Sequence, residues 1–335
     1  MMKSGSKAHM MSKKRAFEII DRFPDAAVMV VGDIMLDHFI WGKVSRISPE
    51  APVPVVEVSE DRLLLGGSAN VSNNILAATG RVYVSGVIGA DDMGRRIVTE
   101  FNDRQADTKG LIVESGRPTT LKTRILAHGQ QVVRFDREIR RTIEPDSTNR
   151  ILSYFNEIRD RIGAVVISDY RKGVVTRALL DGIRKAVSGR RITVCVDPKQ
   201  SDFSLYQGFD IITPNHLEAG LAADIEIQNG RDVIRAGTVL LERYDFKALL
   251  ITRGEQGMSL FERDGGIRHT HLPTQAKEVY DVTGAGDTAI GIFALAMASG
   301  STFQEAAVLA NHAAGIVVGK AGTSTVSRDE LKRAL

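Results

Sequence analysis

The chain has 335 residues, of which 43% are hydrophobic and 25% charged, with a net charge of +3. This length fits one large α/β domain or two smaller ones, each able to bury a core. So small a charge excess argues against a dedicated nucleic-acid surface, and no apolar run approaches the roughly 18 to 20 residues of a membrane span. The single cysteine, Cys195, excludes a disulfide framework and indicates a reducing, cytoplasmic location.

The first dozen residues differ in character from the rest of the chain. They contain Lys3, Lys7 and the three methionines Met1, Met2 and Met10, with no apolar core of the kind found in signal peptides. We therefore interpret residues 1–12 as a disordered or artificial extension. Residues 13–335 are predicted to form the folded domain.

Strand-like and helix-like patterns alternate along that domain. Short apolar runs rich in β-branched residues predict strands buried on both faces at 27–32, 82–87, 164–167, 192–196, 210–213 and 248–252. Helical patterns lie between and after them at 69–79, 93–105, 147–162, 177–188, 233–244 and 306–318. Such alternation is typical of an α/β fold with an open, mostly parallel sheet flanked by helices, in which ligands bind at the carboxyl ends of the strands.

Two segments depart from this alternation of strands and helices. Residues 41–58 contain three prolines and a short β-like run, and residues 119–136 alternate polar and apolar side chains around a turn at His128 and Gly129. Both segments predict strands outside the main sheet. We expect them to form a small β lid beside the ligand site.

The most informative stretch is 281–288, a glycine-rich turn that leads into an apolar helix. Gly284 and Gly286 leave the backbone open to a ligand, and a helix starting near Ala285 directs unpaired N–H groups at an anion. Asp287 places a carboxylate beside that position. An anion site next to a carboxylate is suited to phosphoryl transfer to a hydroxyl, although an acid in a first helical turn also fits an ordinary helix start.

Two further polar groups accompany strand-like segments. Asp33 and Asp37 come after the first strand and are candidates to accept hydrogen bonds from sugar hydroxyls; the alternative is a pair of solvated loop acids. Gly66, Gly67 and Asn70 allow the backbone to approach a polyol closely, or form an ordinary turn into a helix.

Six motifs, in this order along the chain, resemble those of a known enzyme family. They are the acid-ended first strand, Gly66-Gly67-x-x-Asn70, the Gly-Ala-Asp-Asp-x-Gly stretch at 89–94, Asn215-x-x-Glu218, Thr252-x-Gly254-x-x-Gly257, and 281–287. From about residue 17 to its end, the chain resembles the ribokinase-like (PfkB) carbohydrate kinases. The Gly-Ala-Gly-Asp sequence at 284–287 is the most specific of these marks.

Finer motifs resemble one branch of that family, the D-glycero-β-D-manno-heptose-7-phosphate kinases. These motifs lie at 45–56, Thr120-x-Lys122-x-Arg124, 130–136 and 168–173. The resemblance implies phosphorylation at the anomeric O1 in ADP-heptose synthesis for the lipopolysaccharide inner core. Many such kinases are the N-terminal half of a bifunctional kinase/adenylyltransferase. Since the sequence has no His-x-Gly-His motif, we expect a stand-alone kinase or an isolated kinase domain.

The resemblance also implies roles for individual residues. Asp287 would be the base that deprotonates the acceptor hydroxyl, and the amides of Gly284, Ala285 and Gly286 would form the anion hole. The acceptor sugar would be held by Asp37, less certainly by Asp33, and by Gly66, Gly67 and Asn70. ATP would contact Thr252, Gly254, Gly257 and Asn311, and Asn215 and Glu218 would hold Mg²⁺ through water. A requirement for a monovalent cation stays open.

A phosphorylated acceptor requires cations near the sugar. The candidates are Lys122, Arg124, Arg134, Arg171 and Lys172, with Asp169 positioning Lys172 or contacting the sugar. Lys172 is the favoured single residue, although each of these side chains taken alone also fits a solvated surface cation.

The exposed edges of a β lid favour strand pairing between copies, so we expect a homodimer joined through the lids and no nucleic-acid or membrane partner. Two alternatives remain. One is a related kinase for another sugar, sugar phosphate or nucleoside, and the other is a non-catalytic nucleotide- or sugar-phosphate-binding regulator.

Overall fold

The computed structural model describes residues 11–276, 278–320 and 322–335. The predicted extension lies outside the described residues over 1–10, and at its last two positions the prediction is wrong. Met11 packs against the hydrophobic core, and the Ser12 hydroxyl accepts a hydrogen bond from the amide of Arg15. Because that bond caps the first helix, the fold begins before residue 13.

Ten α-helices and thirteen strands are present in the described residues. The helices are α1 (Lys13–Asp21), α2 (Ser68–Ala77), α3 (Asp92–Asp103), α4 (Pro145–Ile158), α5 (Arg177–Val187), α6 (His216–Ala223), α7 (Gly230–Arg243), α8 (Ala285–Ala298), α9 (Phe303–Val317) and α10 (Arg328–Ala334). The strands are β1 (Ala27–Gly32), β2 (Ile34–Ile47), β3 (Pro54–Gly67), β4 (Arg81–Ile88), β5 (Asp107–Val113), β6 (Thr120–Ala127), β7 (Gln130–Arg137), β8 (Ala164–Ser168), β9 (Thr193–Asp197), β10 (Ile211–Ile212), β11 (Ala248–Thr252), β12 (Met258–Arg263) and β13 (Ile267–Leu272).

Nine strands form the main sheet, in the order β13-β12-β11-β10-β9-β8-β1-β4-β5. Neighbours from β11 to β5 pair in parallel, whereas β12 and β13 are antiparallel. The mostly parallel sheet predicted from the sequence is therefore confirmed. The carboxyl ends of β1, β8, β9 and β11 lie along one edge of this sheet, where a ligand site is expected.

Strand β1 shows why this sheet lies at the centre of the protein. All six of its residues are buried. Val28 and Val30 pack into one hydrophobic core with α2, α8 and α9, while Met29 and Val31 pack into a second core with α4, α5 and α7. Alternate residues of a strand point to opposite faces, so a continuous apolar run can fill both cores.

The smaller sheet has the order β3-β2-β6-β7 and comprises residues 34–67 and 120–137. We call it the lid sheet. It contains the predicted 41–58 and 119–136 segments but is larger, since β2 begins two residues after β1 ends and β3 continues to Gly67. The predicted turn is present, with positive φ at both His128 (51°) and Gly129 (76°), as a two-residue hairpin requires.

The sequence patterns missed β5, β12 and β13. Only the second half of β5 is apolar, and the four middle residues of β13 are all polar, as suits edge strands. No helix within the described ranges is both long and apolar enough to cross a membrane.

Candidate active site

Helix α8 begins at the glycine turn identified in the sequence. Gly284 caps it with a φ of 80°, and a Cβ at that position would lie 2.7 Å from the side-chain nitrogen of Asn70. A side chain is therefore excluded on both conformational and steric grounds. The helix runs through the middle of the core and is buried from Asp287 to Ala296. This burial on all sides explains why its sequence is almost entirely apolar.

Asp287 is 6% exposed and has two hydrogen-bond donors. Asn70 Nδ2 donates to its Oδ2 at 2.8 Å, and the Tyr170 hydroxyl donates to its Oδ1 at 2.5 Å. Burial raises the pKa of Asp287 to about 6, and the two hydrogen bonds partly oppose this rise. A carboxylate accepts about four hydrogen bonds, so these two donors leave capacity for a substrate hydroxyl.

The amides at the start of α8 differ in availability. The Ala285 amide donates to the Val282 carbonyl at 3.3 Å, whereas the amides of Gly286 and Asp287 have no acceptor among the described residues. A Cβ on Gly286 would meet no atom within 4 Å, so space is open in front of it. Two free amides and a helix N-terminus facing open space can receive an anion.

One face of Asp287 borders a cavity of about 690 Å³. The residues predicted to contact nucleotide all line it, as do the three predicted anion-hole residues: Asn215, Glu218, Thr252, Gly254, Gly257, Asn311, Gly284, Ala285 and Gly286. Asn311 also donates to the Pro273 carbonyl at 2.7 Å, which fixes its amide at the cavity wall. The volume is ample for a small ligand and lies within the range of ordinary binding pockets.

Asn215 and Glu218 form a capping box at the start of α6. The Asn215 side chain accepts from the Glu218 amide, and the Glu218 side chain accepts from the Asn215 amide, both at 2.9 Å. The other Glu218 oxygen receives the Lys199 ammonium at 2.7 Å. The pair thus places oxygen ligands on the cavity wall while also capping the start of the helix, which explains the spacing of the motif.

The lid sheet covers the other side of Asp287. Asp37 lies in β2 and accepts from Arg124 of β6 at 2.5 Å. A Cβ on Gly66 of β3, which pairs with Met35, would overlap the Asp37 carboxylate. The prediction that Asp37 ends the first strand is therefore wrong in place, since it belongs to the lid sheet. It remains beside the base, and the field of its carboxylate contributes to the raised pKa of Asp287.

Two residues that were predicted to bind the sugar form hydrogen bonds with other groups of the protein. Asp33 is 1% exposed, and its carboxylate accepts three backbone amides from residues 170–174. Asn70 is fully buried, donates to Asp287, and accepts from Asn74. Both side chains therefore have hydrogen-bond partners within the protein, and their role as sugar ligands stays a prediction.

The predicted cations differ in whether they are paired. Arg124 pairs with Asp37 at 2.5 Å, Arg134 with Asp136 at 3.1 Å, and Lys172 with Glu138 at 2.6 Å. Lys122 is half-buried and has no carboxylate within 4 Å in the described part of the chain. Burial and the nearby Lys172 lower its pKa, and the carboxylates of Asp37, Asp136 and Glu138 partly oppose this effect.

Three other predicted residues lie close to the site. Asp169 is buried and accepts from the Tyr206 hydroxyl at 2.5 Å and from the Arg171 amide at 2.7 Å, so it stabilises its own loop and does not bond Lys172. The Arg171 side chain is exposed. Gly67 is buried where β3 meets α2, with a φ of 55°.

Sequence reasoning missed three residues at the centre of the site. Tyr170 bonds Asp287, and Asp197 and Lys199 line the cavity beside it. Burial raises the pKa of Asp197 well above its usual range, partly offset by Lys199. The signal available was position alone, since Asp197 ends a buried strand of the parallel sheet and Lys199 lies two residues later.

Proteins with similar sequences cover most of this chain. The chain is 48% identical over 303 residues to the bifunctional protein HldE of Geobacter sulfurreducens and 45% identical over 321 residues to that of Geobacter metallireducens. These alignments cover 90% and 96% of this chain but only 61% and 65% of the relatives. The chain therefore spans less than two thirds of their length.

Solved structures with the same fold are more distant in sequence. Arabidopsis thaliana ribokinase, complexed with ribose and ATP, superposes with a TM-score of 0.72 at 20% identity, over 92% of this chain and 98% of that one. Phosphofructokinase-2 of Escherichia coli gives 0.74 at 18% identity, over 92% and 98%. The fold is thus ribokinase-like. The family model for pfkB family carbohydrate kinases matches residues 25–330. This chain belongs to the pfkB family of carbohydrate kinases.

Proposed function

We propose that this sugar kinase transfers the γ-phosphoryl group of ATP to the anomeric O1 of D-glycero-β-D-manno-heptose 7-phosphate, giving the 1,7-bisphosphate. The proposed reaction belongs to ADP-heptose synthesis for the lipopolysaccharide inner core. Support comes from the similarity to bifunctional HldE proteins over 90–96% of this chain. The resemblance of its finer motifs to heptose-phosphate kinases supports the same acceptor.

The proposed step needs one proton acceptor and one anion site. Asp287 takes the proton from O1 as that oxygen attacks the γ-phosphorus, a new P–O bond forms, and the bond to the β-phosphate oxygen breaks to release ADP. The free amides of Gly286 and Asp287 receive the charge on the transferring group. Asn70 and Tyr170 hold the base in place throughout.

The nucleotide is proposed to occupy the 690 Å³ cavity. The fold relative from Arabidopsis thaliana was solved with ribose and ATP, which supports ATP as donor. Asn215 and Glu218 supply the oxygen atoms that Mg²⁺ prefers, and both reach the cavity, so they would hold the ion through its waters. When bound, Mg²⁺ would offset phosphate charge.

One observation carries the proposal. The buried carboxylate of Asp287 borders the cavity and lies within electrostatic range of Asp37 in the lid sheet, and the amides beside it have no acceptor among the described residues. The experiment is a comparison of ATP turnover with D-glycero-D-manno-heptose 7-phosphate, ribose, fructose 6-phosphate and adenosine. A strong preference for the heptose phosphate is expected.

Other results of this comparison would select an alternative. Preference for ribose or adenosine would keep the kinase and remove the phosphorylated acceptor. Binding of ATP without turnover of any acceptor would favour a non-catalytic regulator, although such a protein has no need of a buried base beside an anion site.

Turnover is expected to depend on pH through Asp287. Its pKa is raised to about 6 by burial, and the base must be ionised to accept a proton. Activity should therefore be constant above pH 7 and fall about tenfold for each pH unit below 6. A profile of kcat/KM from pH 5 to 8 checks this, with circular dichroism at each pH to exclude unfolding. Constant activity down to pH 5 would contradict the assignment.

We also propose that two copies associate through their lid sheets. Val133 and Phe135 of edge strand β7 are 45% and 53% exposed, and Ile125 of β6 lies on the same face by register. The variant Phe135→Glu should convert a dimer to a monomer in light scattering. Leu221→Glu, which changes an exposed leucine on α6, is the matched control. An unchanged mass for Phe135→Glu, or a monomeric wild type, would refute lid-mediated association.

A further inference from the structure

The loop after strand β8, residues 169–174, is held in place by the buried carboxylate of Asp33. Asp33 Oδ2 accepts from the amides of Tyr170 at 2.7 Å and Lys172 at 3.0 Å, and Asp33 Oδ1 accepts from the amide of Val174 at 3.1 Å. We call this segment the Tyr170 loop. Burying a carboxylate is unfavourable unless it is well bonded, and three amides meet that need. Asp33 therefore fixes the backbone of the Tyr170 loop.

Two other features restrict the Tyr170 loop. The carboxylate of Asp169 accepts from the Arg171 amide at 2.7 Å and is itself held by the Tyr206 hydroxyl at 2.5 Å. Gly173 has a φ of 102°, and a Cβ there would overlap a neighbouring backbone carbonyl. The path of the loop is thus set by contacts outside the site.

At the tip of this loop, the Tyr170 side chain is directed at Asp287. Its hydroxyl donates to the carboxylate at 2.5 Å, and the ammonium groups of Lys122 and Lys199 each lie 5.6 Å from its ring centroid. Burial and then the Asp287 charge raise the pKa of Tyr170 well above its usual range. The hydroxyl therefore stays protonated and can act only as a donor toward the carboxylate.

Other charged groups also act on Asp287. Asp37 of the lid sheet disfavours its ionised form, and Lys199, which lies just after β9, favours it. The Asp197 carboxylate at the end of β9 interacts repulsively with Asp287. Tyr170 is the only side chain besides Asn70 that hydrogen-bonds the Asp287 carboxylate within the described residues. Its effect is therefore separable from the longer-range charges.

We propose that Tyr170 is a positioning residue for Asp287. Presented by the rigid Tyr170 loop, its hydroxyl orients the carboxylate and favours the ionised form, while its ring lines the nucleotide cavity. No proton passes to Tyr170 in the reaction. This inference rests on the proposed role of Asp287 as base.

The test is the pH profile of the variant Tyr170→Phe, which keeps the ring and removes the hydroxyl. Loss of a hydrogen bond to a charged group should move the acid limb of kcat upward by about one pH unit or more. At pH 6 turnover should fall about fivefold relative to wild type, whereas at pH 8.5 it should fall less than threefold. An unmoved acid limb overturns the proposal, and so does an equal loss at both pH values.

Tyr206→Phe is the matched control. It removes another tyrosine hydroxyl that donates to a carboxylate at 2.5 Å, but the carboxylate is that of Asp169. Its acid limb should coincide with that of wild type. If both variants move the limb equally, loosening of the loop explains the effect and the hydrogen bond to Asp287 does not.

A second measurement does not depend on turnover. In protein carrying ¹³C-labelled aspartate carboxyls, NMR titration tracks Asp287, assigned by its loss in Asp287→Asn. Its midpoint should be higher in Tyr170→Phe than in wild type, and an equal midpoint refutes the inference. The proposed function has a separate test, since it fails if Asp287→Asn retains turnover.

Discussion

Replacing Asp287 with asparagine is expected to lower kcat by about 10³-fold, because the acceptor hydroxyl loses its proton acceptor. Asparagine has nearly the same shape and can still accept a hydrogen bond from the Tyr170 hydroxyl, so the fold should be kept. The cavity wall is otherwise unchanged, and ATP affinity should be similar to that of wild type. Turnover is measured by ADP release, and nucleotide affinity by calorimetry.

The matched control for this substitution is Asp169→Asn, which changes another buried aspartate that accepts a tyrosine hydroxyl. It should cost far less activity, since Asp169 has no contact with the cavity or with Asp287 in the described residues. Turnover of Asp287→Asn close to that of wild type would remove Asp287 from the mechanism. Loss of ATP binding together with turnover would instead indicate a disrupted site.

Replacing Lys122 with methionine should lower kcat/KM for the heptose 7-phosphate by about 10- to 100-fold. Lys122 is half-buried in the lid sheet and unpaired among the described residues, whereas Arg124, Arg134 and Lys172 each have a carboxylate partner. A half-buried ammonium without a carboxylate partner is costly, and an incoming phosphate would offset that cost. Because of this contrast, we propose Lys122 in place of Lys172 as the residue that contacts the phosphate.

Selectivity between acceptors distinguishes this role from a structural one. The Lys122→Met variant should act on the unphosphorylated heptose as well as wild type does, because only the phosphate contact is lost. Lys43→Met, which changes an exposed lysine of strand β2, should leave both acceptors unaffected. An equal loss for the two acceptors would mean that Lys122 supports the lid sheet and does not recognise phosphate.

Much of the fold could be predicted because the sequence patterns that determine it involve adjacent residues. The continuous apolar run of β1 predicted a buried parallel strand, and the glycine turn before α8 predicted a helix start open to an anion. The capping box of Asn215 and Glu218 is also a local device. In each case a few adjacent residues determine the conformation, so spacing alone was informative.

Contacts between residues that are distant in the sequence were not predicted. Asp33 and Asn70 were predicted to bind sugar, and their sequence surroundings agree with that role. In the structure Asp33 is covered by the loop at 170–174, and Asn70 reaches Asp287, 217 residues further along the chain. Nothing in the neighbouring sequence reports such a contact.

By itself, the sequence determined the alternating strands and helices, the parallel sheet, the glycine turn before α8 and the position of the Asp287 carboxylate beside that turn. Only the tertiary structure decided which polar groups around the Asp287 carboxylate form hydrogen bonds or ion pairs within the described residues. It places Tyr170 against Asp287 and pairs Arg124 with Asp37, contacts that join residues 117 and 87 positions apart. It also leaves Lys122 unpaired within the described residues. Local spacing sets backbone conformation, whereas pairing and burial depend on which strands become neighbours.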